Sequence, residues 1–387
     1  MAKRRGQGEG SIFRRKDGRW VASITLEGGK KKSFYGKTRK EVQEKLRVAL
    51  HQQQEGTLIT TPQQTVKQYL HYWLEEVQRE SIRDRTYERY EEIVRLHLVP
   101  TLGSHPLQKL TPQHLQTFYN KKRKEGLSST TVNTIHNVLH KALDTAVQWR
   151  LISHNVCDLT KPPRRRRFEI QPLNQEQLQQ FLAAVAGHPQ ETLFVLALAT
   201  GMRRGELLGL KWRDVDFETG ILHICRVLTR IPTKFPGKGF IEAEPKTEKS
   251  RRGILLAPFA LEVLRKHRVR QIEMKPQAGL RWQEHDYVFC TSIGTHLNPD
   301  RDVLVPFKKV LQQAGLPLVR FHDLRHSAAT LLMSKGVHPK VVQEILGHSN
   351  ITITLNIYSH VLPPMHQGAI AKLNEALQGE FSNKLSV

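Results

Sequence analysis

A basic, proline-rich segment constrains the fold of this chain more than any other feature of its sequence. Between Lys161 and Pro172 lie the pair Pro162–Pro163, four consecutive arginines and a further proline. Prolines lack a backbone donor and like charges repel, so the segment predicts an exposed connection and not a packed element. A chain of 387 residues is also too long for one ordinary core. We therefore predict separate folded domains joined by a basic linker over residues 156–172.

The overall charge narrows the choice of partner. Lysines and arginines number 60 against 36 acidic residues, which gives a net charge of +24, and 39% of residues are hydrophobic. That apolar content is enough for packed interiors, and the basic excess favours a polyanion, with nucleic acid as the leading candidate. A membrane is the competing anionic surface. The longest strongly apolar run, Leu193–Ala199, is far shorter than the roughly 20 residues that span a bilayer, so we expect no membrane partner.

The compartment is predicted from the start of the chain and from its cysteines. The charged residues after Met1 are not followed by an apolar stretch, so we expect no secretion signal. The three cysteines, Cys157, Cys225 and Cys290, are scattered and suggest buried thiols in a reducing compartment, without a disulfide framework or a zinc ribbon. Together these features predict a cytoplasmic location.

Residues 1–56 are predicted to form a small DNA-binding domain. Three short strand patterns (Ser11–Arg15, Arg19–Leu26 and Lys31–Tyr35) are separated by turn dipeptides, and a helix pattern follows over Arg39–Gln54. This predicts a three-stranded sheet with one helix. The segment holds 15 lysines and arginines, which favours DNA contact over a merely solvated surface. The basic side chains expected to contact DNA here and in the linker are Arg14, Arg15, Arg19, Lys30, Lys31, Lys32, Arg164, Arg165, Arg166 and Arg167.

Residues 63–155 follow the helical period and predict an all-α bundle of about four helices. Thr111–Pro112 has proline at the favoured first helical position, and Ser128 or Ser129 can cap the helix that follows.

Residues 173–362 predict a larger α+β domain, in which helical patterns flank a β-rich middle around Ile221–Leu256. Beyond it, residues 363–387 form a C-terminal tail in which Ile370, Leu373 and Leu377 have helical spacing. The tail either folds back on its own domain or docks on a neighbouring copy of the chain. The predicted fold class is thus multidomain, with a sheet-plus-helix domain, an all-α bundle and a mixed α+β domain.

Four separated segments of the α+β domain carry residues suited to phosphodiester chemistry, which needs a nucleophile, cations on the non-bridging oxygens and an acid for the leaving oxygen. In the first, an apolar helix ends at Thr200–Gly201 and places Arg203 or Arg204 at a helix junction. In the second, Lys246 or Lys249 lies in a hairpin-like turn, where a lysine could donate a proton.

The third and fourth segments supply histidines, an arginine and a tyrosine. His322 and Arg325 are three residues apart and share a helix face, which suits a phosphate clamp with a proton shuttle. Further on, Gly347 can end a helix before His348, and Tyr358 lies near the end of the next one. Forming a phenolate at pH 7 costs roughly 4 kcal/mol, because the phenol pKa is near 10, so the nucleophile needs nearby cations or a base.

In this order and with their flanking words, these residues resemble the tyrosine recombinase family, the integrases of phages and conjugative elements. The words are Thr200-Gly-Met-Arg-Arg-Gly-Glu-Leu-Leu-Gly-Leu, His322-Asp-Leu-Arg-His, Leu346-Gly-His-Ser and Tyr358-Ser-His. The resemblance is specific over residues 173–362. It is moderate over 63–155, which looks like the core-binding domain, and weaker over 8–54, which looks like the arm-binding domain of larger integrases.

The resemblance implies a role for each candidate residue. Tyr358 attacks a DNA phosphate, Arg203 and Arg325 hold its non-bridging oxygens, and His348 hydrogen-bonds it. His322 shares proton transfer with the nucleophile, Lys246 protonates the leaving 5′ oxygen, and Glu206 supports an arginine. The 3′-phosphotyrosyl link conserves the bond energy, so no metal or other cofactor is expected.

The resemblance also implies partners. These are double-stranded DNA at the attachment sites of a mobile element, further copies of the chain in a tetramer with exchanged tails, and a directionality factor or DNA-bending protein. The implied place of action is the nucleoid of a bacterial cell.

Three other interpretations of the sequence compete with that of a tyrosine recombinase. His322 and His326 have the spacing of a zinc-binding helix, but Asp323 stands where that motif has glutamate, and Arg325 would place a positive charge beside the metal. A DNA-binding regulator fits the charge but leaves the arginine, histidine and tyrosine array unexplained. A type IB topoisomerase has similar chemistry and would relax supercoils at many sequences, but the arm-like N-terminal domain favours a recombinase.

Overall fold

The structure, a computed structural model, describes residues 10–26, 31–54, 63–165, 171–231, 239–245, 251–348, 350–358 and 374, with the backbone alone for residues 52, 353 and 356–358. The chain divides into two units, residues 1–167 and 168–387. This division lies inside the predicted basic linker.

The N-terminal residues form a three-stranded antiparallel sheet in the order β1-β2-β3 and one helix, with the strands β1 Ser11–Arg14, β2 Trp20–Thr25 and β3 Lys31–Gly36 and the helix α1 Arg39–Gln54. Because side chains alternate across a strand, Ala22 and Ile24 reach one face and pack on Val42 and Leu46 of α1. The predicted strands and helix are therefore confirmed to within two residues.

The opposite face of this sheet has two exposed aromatic rings. The register pairs Phe13 with Val21 and Val21 with Tyr35, so the three side chains form one row across the sheet. Val21 is covered by its neighbours, whereas Phe13 and Tyr35 are about half exposed, at 50% and 49%. This exposed apolar row on a basic element was not predicted from the sequence.

Residues 65–148 form a helical bundle. Its helices are α2 Val66–Tyr72, which continues through π-helical turns at Trp73–Gln78; α3 Asp84–Ile93, which continues through Val94–Leu98 into α4 Val99–Leu102; α5 Pro112–Lys124; and α6 Ser129–Gln148, with a 3-10 turn at Leu107–Lys109. Thr111 caps α5 and Ser128 caps α6, each accepting a hydrogen bond from a backbone N–H in the first turn.

The core of the bundle reaches past the predicted boundary at residue 155. Val156 and Cys157 are buried with the bundle residues, and Asn155 donates a hydrogen bond of 2.7 Å to Asp144 on α6. The cysteine prediction needs one correction, since Cys157 is buried and Cys290 half-buried but Cys225 is exposed. Cys225 lies two residues after the short strand Ile221–His223. Buried and exposed side chains alternate from Leu222 to Cys225, as in an extended segment, and this alternation turns the Cys225 side chain outward.

The second unit combines helices with strands, as predicted, and the strands among its described residues form two small sheets. The elements are α7 Gln175–Val185, α8 Glu191–Thr200, α9 Arg204–Leu208, β4 Ile221–His223, β5 Val227–Arg230, β6 Phe240–Ala243, β7 Gly253–Leu255, α10 Pro258–Ala278, α11 Val305–Gln313, α12 Asp323–Ser334, α13 Pro339–Leu346 and α14 Ile351–Tyr358. Short 3-10 turns lie at Trp212–Asp214 and Gly279–Arg281, and a π-helical turn at Pro299–Leu304 precedes α11.

The two sheets are antiparallel pairs, β4 with β7 and β5 with β6. Phe181, Phe194, Phe307 and Phe321 pack with ring centroids 5.4 to 6.3 Å apart and form an aromatic centre for the larger core. Among the described residues, no helix is both long enough and apolar enough to cross a membrane.

Candidate active site

Arg203 stands where two helices meet. Gly201 ends α8 with φ +59°, and a Cβ there would lie 2.5 Å from a Leu346 methyl carbon, so glycine permits both the turn and the close packing. Arg203 then precedes α9. Its backbone N–H and its Nη1 donate to the Glu206 carboxylate at 3.0 and 2.7 Å, and its Nη2 donates to the Gly347 carbonyl at 3.1 Å. Glu206 is therefore the supporting partner that was predicted.

Arg325 lies on α12, one turn after His322, which occupies the residue position just before that helix. The Arg325 side chain is buried, at 2% exposure, and its Nη1 donates to the Gly201 carbonyl at 2.8 Å. The carbonyl belongs to the turn that precedes Arg203, so the two arginines approach one another from helices that are far apart in sequence.

His348 occupies the turn between α13 and α14. Gly347 ends α13 in the left-handed region at φ +66°, and Gln343 donates to the His348 carbonyl at 3.0 Å. The His348 Nδ1 lies 2.9 Å from the Thr354 hydroxyl, which belongs to the same helix, α14, that ends at Tyr358. The predicted positions of Gly347 at a helix end and Tyr358 near the next helix end are confirmed.

Burial and positive neighbours keep the histidines of the site neutral. Burial, together with the positive charges of Arg325 and Arg203, lowers the pKa of His348 to about 3. Burial, assisted by His322, lowers the pKa of His326 to about 4. Burial and Arg325 also lower the pKa of His322. Neutral imidazoles can both donate and accept a hydrogen bond, which suits proton transfer near neutral pH.

These lowered pKa values predict that the second unit loses stability in mild acid. The unfolded chain takes up protons on His348 and His326 near pH 6.5, whereas the folded chain does so only near pH 3 and 4. The unfolded state binds more protons below pH 6.5, so the free energy of unfolding falls as the pH falls, by up to about 1.4 kcal/mol per pH unit for each histidine. Urea unfolding at pH 7.5, 6.5 and 5.5 measures this slope.

Two variants test the assignment of that slope to the buried histidines. His348→Gln and His326→Gln are each expected to make the slope shallower. An unchanged slope in His348→Gln would contradict the assignment.

The side-chain contacts distinguish Arg204 from Arg203, and those of Asp323, His322 and His326 bear on the alternative of a zinc site. Arg204 has different partners from Arg203: its Nη1 donates to Asp300 Oδ1 at 3.3 Å and to the Pro299 carbonyl at 3.4 Å. Asp323 is bound by Arg320, with Oδ1 2.7 Å from Nη2, and the His322 and His326 rings meet edge to face at 5.0 Å. Within the described ranges, no group of three or more histidine, cysteine or acidic side chains is arranged to hold a metal ion.

Several predicted residues lie outside the described residues: Lys246, Lys249, Lys30, Arg166, Arg167 and the tail except residue 374. Among the other basic residues, Arg15 and Arg19 pair with Asp17, Arg14 donates to the Gly18 carbonyl, and Arg164 and Arg165 are exposed. Lys31 lies on the sheet face of Phe13 and Tyr35, whereas Lys32 alternates to the other face.

Two further residues of the site were missed from the sequence. These are Thr354, the hydrogen-bond partner of His348, and Arg252, whose side chain reaches Glu206. Nothing in the sequence distinguishes Thr354 from other residues of its apolar helix. The closeness of Arg252 to the predicted lysine hairpin is a weak signal.

Comparison with known families agrees with this architecture. The family model described as "Phage integrase family" matches residues 171–364, and "Phage integrase, N-terminal SAM-like domain" matches residues 65–123. The chain belongs to the phage integrase family of tyrosine recombinases. It is accordingly an enzyme that cleaves and rejoins DNA.

Relatives resemble this chain over most of its length. A protein named "Tyrosine recombinase XerC-like" from Caldanaerobacter subterraneus subsp. tengcongensis is 36% identical, over 90% of this chain and 93% of its own. The ICEBs1 integrase of Bacillus subtilis is 27% identical, over 75% of this chain and 78% of its own.

Solved structures of integrases share the fold. The Tn1549 transposon integrase in complex with circular intermediate DNA is 26% identical and has a TM-score of 0.67, covering 80% of this chain and all of that one. The lambda integrase dimer bound to a core site is 18% identical with a TM-score of 0.57, covering 92% of this chain and 96% of that one, so it shows the fold alone.

Proposed function

We propose that this recombinase integrates and excises a mobile element at specific attachment sites, with Tyr358 as the nucleophile. The observation that carries the assignment is the approach of Arg203, Arg325 and His348 to one another, with Tyr358 at the end of the helix that also contains the partner of His348. The names of the ICEBs1 and Tn1549 integrases support a mobile element as the source of the DNA.

The proposed reaction begins on the scissile phosphate. The Tyr358 oxygen forms a bond to phosphorus and the bond from phosphorus to the 5′ oxygen breaks, which leaves a 3′-phosphotyrosyl link. Arg203 and Arg325 neutralise the non-bridging oxygens, where negative charge concentrates in the transition state. When the Thr354 hydroxyl donates to His348 Nδ1, the proton of this neutral ring stands on Nε2 and can be donated to the same phosphate.

Two proton transfers complete the step. His322 accepts the proton of the Tyr358 phenol. Because the pKa of His322 is lowered, its ring is unprotonated at neutral pH and free to accept that proton. Lys246 gives a proton to the leaving 5′ oxygen. Rejoining reverses each transfer with the 5′ hydroxyl of another strand, so the bond energy is kept and neither nucleotide nor metal enters the cycle.

The remaining parts of the chain are assigned to DNA binding and assembly. We assign residues 1–56 to arm sites, 63–155 to the core site, and the linker with Arg164–Arg167 to the DNA backbone. The side chains of Phe13, Tyr35 and Lys31 lie exposed on one face of the N-terminal sheet, which supports contact of that sheet with DNA. We assign the assembly to four copies of the chain on two attachment sites, joined by exchanged tails. A directionality factor or DNA-bending protein assists this assembly, which acts at the nucleoid.

One experiment tests the chemistry directly. The protein is incubated with attachment-site DNA that has a nick close to the cleavage position. Cleavage then releases a short fragment that carries the 5′ hydroxyl, so rejoining is prevented and the covalent complex accumulates. Peptide mapping of the trapped complex is expected to find the nucleotide on Tyr358. A nucleotide on another residue, or a 5′-phosphate link, would contradict the proposal.

Two truncations are expected to separate DNA binding from assembly. Deleting residues 1–56 leaves cleavage of the core site but impairs recombination of full sites. The salt dependence of binding also becomes shallower, since a protein with about 8 phosphate contacts loses roughly 10³ to 10⁵ in affinity between 50 and 200 mM salt.

Deleting residues 366–387 leaves single-site binding intact but reduces paired-site complexes in gel shifts. Equal salt slopes, or unchanged paired complexes, would refute the respective assignment.

A further inference from the structure

Arg252 is a buried arginine that connects separate segments of the active site. It directly precedes β7, and its side chain is only 8% exposed. Its backbone carbonyl accepts a hydrogen bond of 2.9 Å from Ile224, which continues the pairing of β4 with β7. The backbone at the base of the guanidinium is therefore held by the sheet.

The guanidinium reaches two elements at once. Its Nε donates to the Ile345 carbonyl at 2.7 Å, near the end of α13 and three residues before His348. Its Nη2 donates to the Glu206 carboxylate at 3.2 Å. One rigid planar group thus joins the turn that contains His348 to the carboxylate that holds Arg203.

Glu206 is shared between two arginines. Arg203 Nη1 binds its Oε1, and Arg252 Nη2 binds its Oε2. Burial alone would raise the pKa of Glu206, but Arg252 and then Arg203 lower it below the ordinary value, so the carboxylate stays ionised at 1% side-chain exposure. Without Arg252, the buried carboxylate would keep only Arg203 as its cationic partner among these contacts, and the geometry of that pair would change.

The turn before His348 is shaped around Arg252. A Cβ on Gly347 would lie 2.7 Å from Arg252 Nη1 and 2.9 Å from its Cζ, so the backbone of the turn packs directly against the guanidinium. The same Gly347 offers its carbonyl to Arg203. Arg252 therefore supports Arg203 along two routes, through Glu206 and through the Gly347 turn.

We propose that Arg252 is a positioning residue for strand cleavage, which orients Arg203 through Glu206 and His348 through the end of α13. The inference rests on the proposed roles of Arg203 and His348. The Arg252 side chain is only 8% exposed and binds Ile345 and Glu206, so we assign it an action on the phosphate through these neighbours.

Lysine at this position is the informative substitution. Arg252→Lys keeps the charge, but a single ammonium group on a flexible stem cannot reproduce the fixed fork that reaches Ile345 and Glu206 together. A full loss of a transition-state donor costs about 100-fold or more, and a displaced donor costs less, so we expect cleavage of nicked core-site DNA to slow about 10- to 100-fold at saturating protein. Core-site binding and the melting temperature are expected to stay close to wild type.

Arg251 provides the matched control. It is the preceding residue, its side chain is 58% exposed, and it pairs with Glu244, which is 82% exposed. Arg251→Lys should therefore cleave saturated core-site DNA at the wild-type rate.

A neutral phosphate analogue separates positioning from general structural damage. In a methylphosphonate, a methyl group replaces one non-bridging oxygen, so the reacting group carries no negative charge and depends less on a well-placed Arg203. The loss in Arg252→Lys should shrink to within about threefold of wild type on this substrate, because the charge to be stabilised is smaller. Glu206→Gln, which keeps the side-chain shape, should show the same phosphate-selective loss, and the double variant should be no worse than the poorer single variant.

The outcomes are decisive in both directions. Wild-type cleavage by Arg252→Lys, or an equal loss on phosphate and methylphosphonate DNA, overturns the positioning role. If Arg252→Lys unfolds, Glu206→Gln alone decides by the same comparison. Arg203→Ala and Tyr358→Phe are assayed alongside. If they lose cleavage while Arg252→Lys does not, only this inference fails; if Arg203→Ala cleaves normally, the assignment of the site fails.

Discussion

Tyr358→Phe is expected to abolish covalent protein–DNA complexes while core-site binding stays within a few-fold of wild type. The substitution removes one oxygen atom and keeps the aromatic ring, so it removes the nucleophile with little change in packing. Denaturing gels of protein incubated with nicked core-site DNA measure the covalent complex, and gel shifts on the same DNA measure binding.

Two other tyrosines serve as controls for this result. Tyr287 donates a hydrogen bond of 2.7 Å to Glu242, and the Tyr119 hydroxyl lies 2.7 Å from His136 Nδ1. Burial raises the pKa of both phenols, so each is a poorer nucleophile than an ordinary tyrosine. Tyr287→Phe and Tyr119→Phe should therefore each still form the covalent complex. A covalent complex formed by Tyr358→Phe would place the nucleophile elsewhere.

Arg203→Ala and Arg325→Ala are each expected to lower the rate of strand cleavage by about 100-fold or more, close to 3 kcal/mol of transition-state stabilisation. DNA binding should change much less, because these donors act mainly on charge that develops during the reaction. Single-turnover cleavage at saturating protein measures the effect. Since Arg325 is buried, its variant also needs a thermal melt to show that it is folded.

Arg204 is the matched control for Arg203. It has the same side chain one residue later, but it pairs with the exposed Asp300 and reaches the Pro299 carbonyl. Arg204→Ala should cleave at nearly the wild-type rate. If it proves more harmful than Arg203→Ala, the assignment within the arginine pair is off by one residue.

The sequence alone predicts those elements that are specified by neighbouring residues. The helix caps at Thr111 and Ser128 and the helix end at Gly347 follow from local backbone chemistry. The three N-terminal strands follow from alternation and turn dipeptides. The resemblance to the recombinase family adds the order of arginine, histidine and tyrosine, and the family comparisons bear out that resemblance.

Other features depend on packing and could not be predicted in this way. Arg203 and Arg204 are chemically identical neighbours, and only the position of Glu206 and the Gly347 carbonyl separates them. The exposure of Cys225 depends on where a short strand runs at a sheet edge, which its sequence does not show.

Arg252 is the clearest example of what the tertiary structure decides. Its partners, Glu206 and Ile345, are 46 and 93 residues away along the chain. A periodic pattern or a cap relates residues within a few positions, because it reports one turn of helix or one strand pair. The contacts of a buried guanidinium depend instead on how helices and sheets pack. Local patterns therefore predict the elements and, with the family resemblance, candidate roles for single residues, whereas packing sets which charged groups share a carboxylate.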